Sequence, residues 1–258
     1  SPADIVLPII ADSSQLEAIY EAVHDKTFIL HGPPGTGKTS VALRNMVREF
    51  LAIPDYQILL VAFTNRAVDE ICDKLETIGE VDDYIRVGQT LSCDVAYRSH
   101  LLSERMKQCR NREEANRSIH SCRVFVATLS SLSGKMELFN LKRFDVAIVD
   151  EASQILEPQL VGLLSAKTPT GRDAIGKFIL IGDHKQLPAV VVQSAEESVR
   201  RNRSVRASVS VARRVSRSES VVWNGLLQTM QENTETCRQN PLHRTGTRLL
   251  LLAAALLV

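Results

Sequence analysis

Residues 27–39 read Thr27-Phe28-Ile29-Leu30-His31-Gly32-Pro33-Pro34-Gly35-Thr36-Gly37-Lys38-Thr39. An apolar run leads straight into a glycine-rich loop, and Gly37–Leu51 then reads as a helix. Strand, loop and helix in that order satisfy the pattern G-x-x-x-x-G-K-[ST]. Gly32, Gly35 and Gly37 let the backbone fold tightly, with no side chain between its N–H groups and an anion's oxygens. The helix beginning near Gly37 aims its positive dipole end at the same anion. Lys38 offers a compact charge to the β- and γ-phosphates, and the Thr39 hydroxyl suits Mg²⁺. The stretch therefore calls for a nucleoside triphosphate with Mg²⁺, without choosing among the many ATPases that share it.

Working outward, four more β-rich runs follow: Ile58–Ala62, Val124–Thr128, Val146–Asp150 and Phe178–Gly182. Each is nearly continuously apolar, as strands covered on both faces are. Helical stretches separate or precede them at Ser14–His24, Arg66–Ile78 and Gln154–Leu164. Alternation of this kind predicts an α/β fold, a doubly wound and mostly parallel sheet of the P-loop NTPase type. Ligands of such sheets bind beyond the carboxyl ends of the strands. Val81–Cys122 interrupts the alternation as a polar, arginine-rich insertion. It reads either as a solvated helical segment with i,i+4 charge pairs or as an arm touching nucleic-acid phosphates.

The strand ends carry the chemistry. Val146–Asp150 runs into Glu151; Asp150 can hold Mg²⁺ through its water shell, and Glu151 can orient and deprotonate an attacking water. Two adjacent carboxylates at a buried strand end are costly without a cation between them. The last run ends in Gly182-Asp183-His184-Lys185-Gln186-Leu187-Pro188, where Gln186 could report loss of the γ-phosphate or belong to an ordinary turn. Thr64 and Asn65, after the second run, suit a helix cap or a backbone phosphate of a nucleic-acid strand, and Thr128 is placed likewise.

The 258 residues are 44% hydrophobic and 24% charged, with a net charge of +1, which excludes a globally basic nucleic-acid glue. The five cysteines are widely spaced and contain no C-x-x-C, so neither a disulfide framework nor a standard zinc site is expected. His100, Cys109, His120 and Cys122 come nearest to a metal cluster, with a spacing that fits no ligand pattern. Cysteine usage points to a reducing, intracellular setting, cytoplasmic or nuclear. The apolar run Leu249–Val258 is half of what a membrane span needs, and no membrane partner is expected.

Four segments in order, GPPGTGKT (32–39), VAFTNRAVDEI (61–71), VDEASQ (149–154) and IGDHKQLP (181–188), resemble superfamily 1 helicases. The resemblance is to the branch of the nonsense-mediated-decay RNA helicase and the replication nuclease-helicases. It covers residues 8–194 and implies the first RecA-like lobe of such an enzyme, residues 1–194 with a helical insertion at about 81–122. It implies ATP bound by Gln15 at the adenine and by Gly32, Pro33, Gly35, Thr36, Gly37, Lys38, Thr39 and Ser40 at the phosphates. Mg²⁺ would be held by Thr39 and Asp150, with Lys38, Glu151 and Gln186 catalytic. Thr64, Asn65 and Thr128 would contact single-stranded DNA or RNA. The family couples ATP hydrolysis to stepping along that strand and uses a second RecA-like lobe, whose motifs are absent after Gln193.

The last 64 residues differ in character. They carry ten arginines and five acids, against 21 basic and 25 acidic residues before them. Arg200–Arg217 holds seven arginines among Ser and Val. A basic nucleic-acid tail, a short regulatory segment and a truncated or frame-disrupted end compete as readings. The expectation is an ATP-binding helicase lobe of low activity by itself; the alternative is an ATP-dependent switch without motor action.

Overall fold

The computed structural model describes residues 13–24, 27–31, 38–78, 81, 83–155 and 157–183. The described elements are, in order, α1 (Ser13–His24), β1 (Thr27–His31), a π-helical turn (Lys38–Leu43) running into α2 (Arg44–Leu51), β2 (Ile58–Ala62) and α3 (Asn65–Glu76). Then come β3 (Tyr84–Val87), 3₁₀ turns at Thr90–Ser92 and Val95–His100, α4 (Leu102–Lys107), α5 (Arg112–Ser121) and β4 (Val124–Thr128). The chain continues through α6 (Leu129–Ser133), α7 (Leu138–Leu141), β5 (Phe144–Val149), α8 (Glu157–Leu164) and β6 (Ile175–Gly182). Chain contacts divide into two units. The sheet and its helices form one, and α8, with Leu160 and Leu163 buried, falls in the other.

Six strands form one sheet in the order β1-β6-β5-β2-β4-β3, and every pairing is parallel. The apolar runs behave as strands covered on both sides. Ile58, Leu60 and Ala62 join a core with Ile19, Met46, Phe50, Val68 and Ile71 from α1, α2 and α3. The alternate residues Leu59 and Val61 are buried too. On the opposite face Phe125, Phe139 of α7 and Phe144 meet edge to face, with centroids 5.3 and 6.1 Å apart. Such all-round burial is why these strands read as unbroken apolar runs rather than alternating ones. Among the described residues no helix is long and apolar enough to cross a membrane.

One expectation is corrected. The polar insertion is not only helical: it opens with β3, whose four residues are all buried and which pairs with β4 at the sheet's edge. Arg86 sits in the middle of this strand, 1% exposed, and pairs with Asp69 of α3. The charge hid the strand, because a buried arginine breaks the apolar run that reveals the others. Smaller differences are at boundaries: α8 starts at Glu157, and β6 extends back to Ile175.

Candidate functional site

Strand order places the site. β6 lies between β1 and β5, with His31 level with Gly182 and Val149 level with Leu180. The ends of β1, β6 and β5 therefore lie at one edge of the sheet, with Asp183 directly after β6 and the Asp150–Glu151 pair directly after β5. Two interstrand steps separate β1 from β5, about 10 Å. Gly32, Pro33, Gly35, Thr36, Gly37 and Gln186 lie outside the described residues, as do the side chains of Lys38, Thr39 and Ser40. Their backbone enters α2 through the π-helical turn, where Asn45 Nδ2 donates to the Val41 carbonyl at 2.9 Å. Gln15 stands half-buried in the first turn of α1.

Asp150 and Glu151 are built differently although adjacent. Asp150 is 4% exposed; its N–H donates to the Val61 carbonyl of β2 at 2.7 Å, and its Oδ1 accepts the Glu151 N–H at 2.9 Å. Those bonds fix the carboxylate at the strand end. Glu151 has φ 53°, in the left-handed region that non-glycine residues adopt at a cost of about 1–3 kcal/mol. Among the described residues its Oε2 is a buried oxygen with no hydrogen-bond partner. Burial pushes its carboxyl above the usual range, and the nearby Asp150 and then Glu70 push it further. A strained carboxyl with one unbonded buried oxygen and raised proton affinity is suited to take a proton from a ligand that is not the protein itself.

Asp183, 2% exposed, ends the neighbouring strand. Sequence reasoning quoted it only as part of a turn. Its signal was the one that found Asp150, an acid directly after an apolar strand. Asp150 and Asp183 are thus two buried acids at one edge, but among the described residues no three acids, histidines or cysteines are placed together to hold a metal ion.

Thr64 and Thr128 end the adjacent strands β2 and β4 and cap the helices that follow. Thr64 Oγ1 accepts the Ala67 N–H at 3.1 Å. Thr128 Oγ1 accepts the Ser131 N–H at 3.1 Å and donates to Ser131 Oγ at 2.8 Å. Thr64 is exposed, Asn65 half-buried and Thr128 buried. Only Thr64, of the two hydroxyls, faces solvent.

Several of the insertion's arginines are engaged inside the protein. Arg86 pairs with Asp69, Arg105 pairs with Asp83 and donates to Ser118, and Arg98 donates to the Cys93 carbonyl. Arg123 donates to the carbonyls of Leu51, Ile53 and Tyr56. The loose His–Cys set is likewise occupied. His100 stacks on Tyr84 with centroids 3.9 Å apart, and the Cys109 and Cys122 thiols donate to the Arg105 and Val124 carbonyls. Burial pushes the Cys122 thiol up to about 11, away from the thiolate a metal requires.

The family model described as "AAA domain" matches residues 11–119 and 92–194. The chain is 34% identical, over 72% of its length, to the DNA replication ATP-dependent helicase/nuclease JHS1 of Arabidopsis thaliana, and this spans 13% of that protein. It is 33% identical, over 77% of its length, to the DNA replication ATP-dependent helicase/nuclease DNA2 of Mus musculus, spanning 17% of it. The DNA polymerase alpha-associated DNA helicase A of Saccharomyces cerevisiae is 26% identical over 74% of this chain and 34% of that protein. The matches thus span about an eighth to a third of these relatives.

Proposed function

Because this chain belongs to the AAA-domain family of superfamily 1 helicases, carrying their first RecA-like lobe, we propose that it binds ATP with Mg²⁺ at the carboxyl edge of its sheet and couples ATP hydrolysis to movement on single-stranded DNA. The choice of DNA rests on the names of its relatives. One observation carries the hydrolytic reading. Glu151, beside a hydrogen-bonded Asp150, is held in a strained conformation with a buried, partnerless oxygen. Structural carboxylates are satisfied; a general base is left waiting for its water.

In this reading residues 1–194 are the ATP-binding lobe. The loop from Gly32 to Gly37 and the side chains of Lys38, Thr39 and Ser40 receive the phosphates, and Gln15 receives the adenine. Thr39 and Asp150 hold the metal, which when bound neutralises charge on the β- and γ-phosphates. Glu151 orients the attacking water and takes its proton on Oε2. Gln186 contacts the γ-phosphate and registers its departure. Thr64 and Asn65, at the positive end of α3, meet a backbone phosphate of the strand, and Thr128 holds the neighbouring helix in line. A second RecA-like lobe brings arginines to the γ-phosphoryl, a contribution on the order of 10³–10⁵ in rate.

The test is ATP turnover by this chain and by Lys38→Ala, with and without single-stranded oligonucleotides of DNA and RNA. Turnover raised by DNA and lost in Lys38→Ala supports the motor reading. Tight ATP binding with no response to either strand overturns it in favour of a nucleotide-dependent switch.

A further inference from the structure

The insertion's outward chemistry is apolar as well as basic. Just beyond the carboxyl end of β3 lie the two most exposed large hydrophobic side chains among the described residues, Leu91 at 96% and Val95 at 71%. Single exposed leucines are ordinary. These two stand four residues apart on successive 3₁₀ turns that are firmly built. The Ser92 N–H donates to the Gln89 carbonyl at 3.2 Å. Asp94 accepts the Ala96 N–H at 3.0 Å, and the Tyr97 N–H donates to the Asp94 carbonyl at 3.1 Å. Cys93, between them, is buried as an anchor, and Arg98 donates back to its carbonyl at 3.3 Å. The buried Arg86 reaches the Ser92 carbonyl at 3.4 Å. The loop therefore holds its apolar side chains out in a fixed frame rather than folding them in.

Position and charge indicate what they meet. In sheet order β2, β4 and β3 are neighbours, so Thr64, Thr128 and Leu91 follow three consecutive strand ends on one edge. That edge is the path assigned above to the single strand. Gly88–Cys93 contains no charged residue and is followed by the exposed Asp94, so this stretch offers a phosphate no cation. Bases present apolar faces, and a leucine held rigidly can pack against one or wedge between two.

We infer that Leu91 and Val95 are a base-contacting element of this lobe, taking the faces of successive bases of the single strand where it passes beyond Thr128. The inference rests on the proposed function. It adds a contact that depends on bases and is insensitive to salt, alongside phosphate contacts that salt weakens.

The experiment measures the affinity of the full chain for oligothymidylate by fluorescence anisotropy across a salt series, in wild type and Leu91→Ser/Val95→Ser. The expected result is an affinity about tenfold weaker in the variant, a loss of the size a base-stacking contact gives. The slope of log affinity against log salt should be unchanged, whereas loss of one phosphate contact lowers it by about 1. Because both side chains are exposed, the variant should keep the wild-type melting temperature. A second variant, Leu91→Trp in a Trp223→Phe background, should lose indole fluorescence when oligothymidylate binds. Equal affinity in wild type and double variant, or a reduced salt slope, overturns the inference alone. A wild-type dimer that the double serine variant dissolves assigns the patch to a second copy of the chain and also overturns it. A wild type that binds no oligonucleotide sinks the proposed function and this contact together.

Discussion

The two edges of the sheet are built on opposite principles. At the amino edge three of the turns from helix into strand end on a cation. Lys177 Nζ donates to the Val23 carbonyl ahead of β1, and Arg123 to the Leu51, Ile53 and Tyr56 carbonyls ahead of β2. Lys142 Nζ donates to the carbonyls of Ile119, His120 and Cys122 ahead of β4. These groups would otherwise be the orphaned carbonyls of helix ends, and cations there also suit the helix dipole. Asp145 accepts the Gln57 N–H at 2.9 Å and an Arg143 N–H at 2.9 Å. At the carboxyl edge buried acids collect instead, and Glu151 combines a positive φ with an oxygen that has no partner among the described residues. Both edges keep an unbonded buried oxygen among the described residues, but at the amino edge it is the neutral amide of Gln57 and at the carboxyl edge the acid Glu151.

The sharpest way to break this comparison is Glu151→Gln. If Glu151 is the base, turnover should fall by about 10²–10⁴ while ATP still binds. Stability should move the other way, rising by about 1 kcal/mol as a partly buried charge gives way to a neutral amide. The sign with pH follows from its raised proton affinity. A group held above its unfolded value contributes stability that is fully present below the unfolded pKa and lost as pH rises through the folded one. The gap between variant and wild type, measured by urea unfolding, should be wide at neutral pH and close in acid. A variant less stable than wild type at pH 7 would show that Glu151 is a structural group.

Lys142→Met probes the opposite edge. Lys142 is buried, lies over the Phe125 ring at 5.1 Å, and is pushed down to about 8 by that burial. Removing its ammonium leaves three carbonyls without their donor, and the expected loss is about 3 kcal/mol in urea unfolding. ATP affinity should be unchanged under conditions where the variant is folded. A variant with wild-type stability would remove the amino edge's claim to be the fold's fastening.

What could be read in advance follows the same division. The five apolar runs were legible because parallel strands buried on both faces show no polar alternation, and the positions of Asp150, Glu151 and Thr64 just beyond strand ends followed from those runs. β3 was not, because its Arg86 is satisfied by Asp69, 17 residues upstream, a pairing that only the folded chain makes. Lys142 looked like any charged residue between elements; its partners lie 20 to 23 residues away. The φ of Glu151 has no sequence signal, since nothing in the residue type asks for a left-handed backbone. Long-range polar satisfaction was therefore the illegible part, and apolar periodicity the legible one.

Gly176 tests the amino edge at a smaller scale. A Cβ there would come within 2.7 Å of the Asp145 carbonyl oxygen and 3.0 Å of the Arg143 guanidinium. Gly176→Ala should therefore cost about 2 kcal/mol, in the range of overpacked cores, and leave ATP binding intact. Wild-type stability in this variant would mean that β5 and β6 can shift apart at their start.

The smallest expected effects fall on the two capping threonines, and they separate stability from strand contact within the carboxyl edge itself. Thr64→Ala and Thr128→Ala each remove one helix cap, worth about 1 kcal/mol. Their stability losses should therefore be similar. Their effects on oligothymidylate affinity should not. Thr64 is exposed beside the free N–H groups of α3's first turn, so its loss removes a phosphate partner and lowers the salt slope. The Thr128 hydroxyl is buried and both donates to and accepts from Ser131, so its loss should change affinity little once melting is allowed for. Equal effects on binding would mean that the strand reaches below the surface formed by Thr64, and that the Thr128 cap opens to admit it.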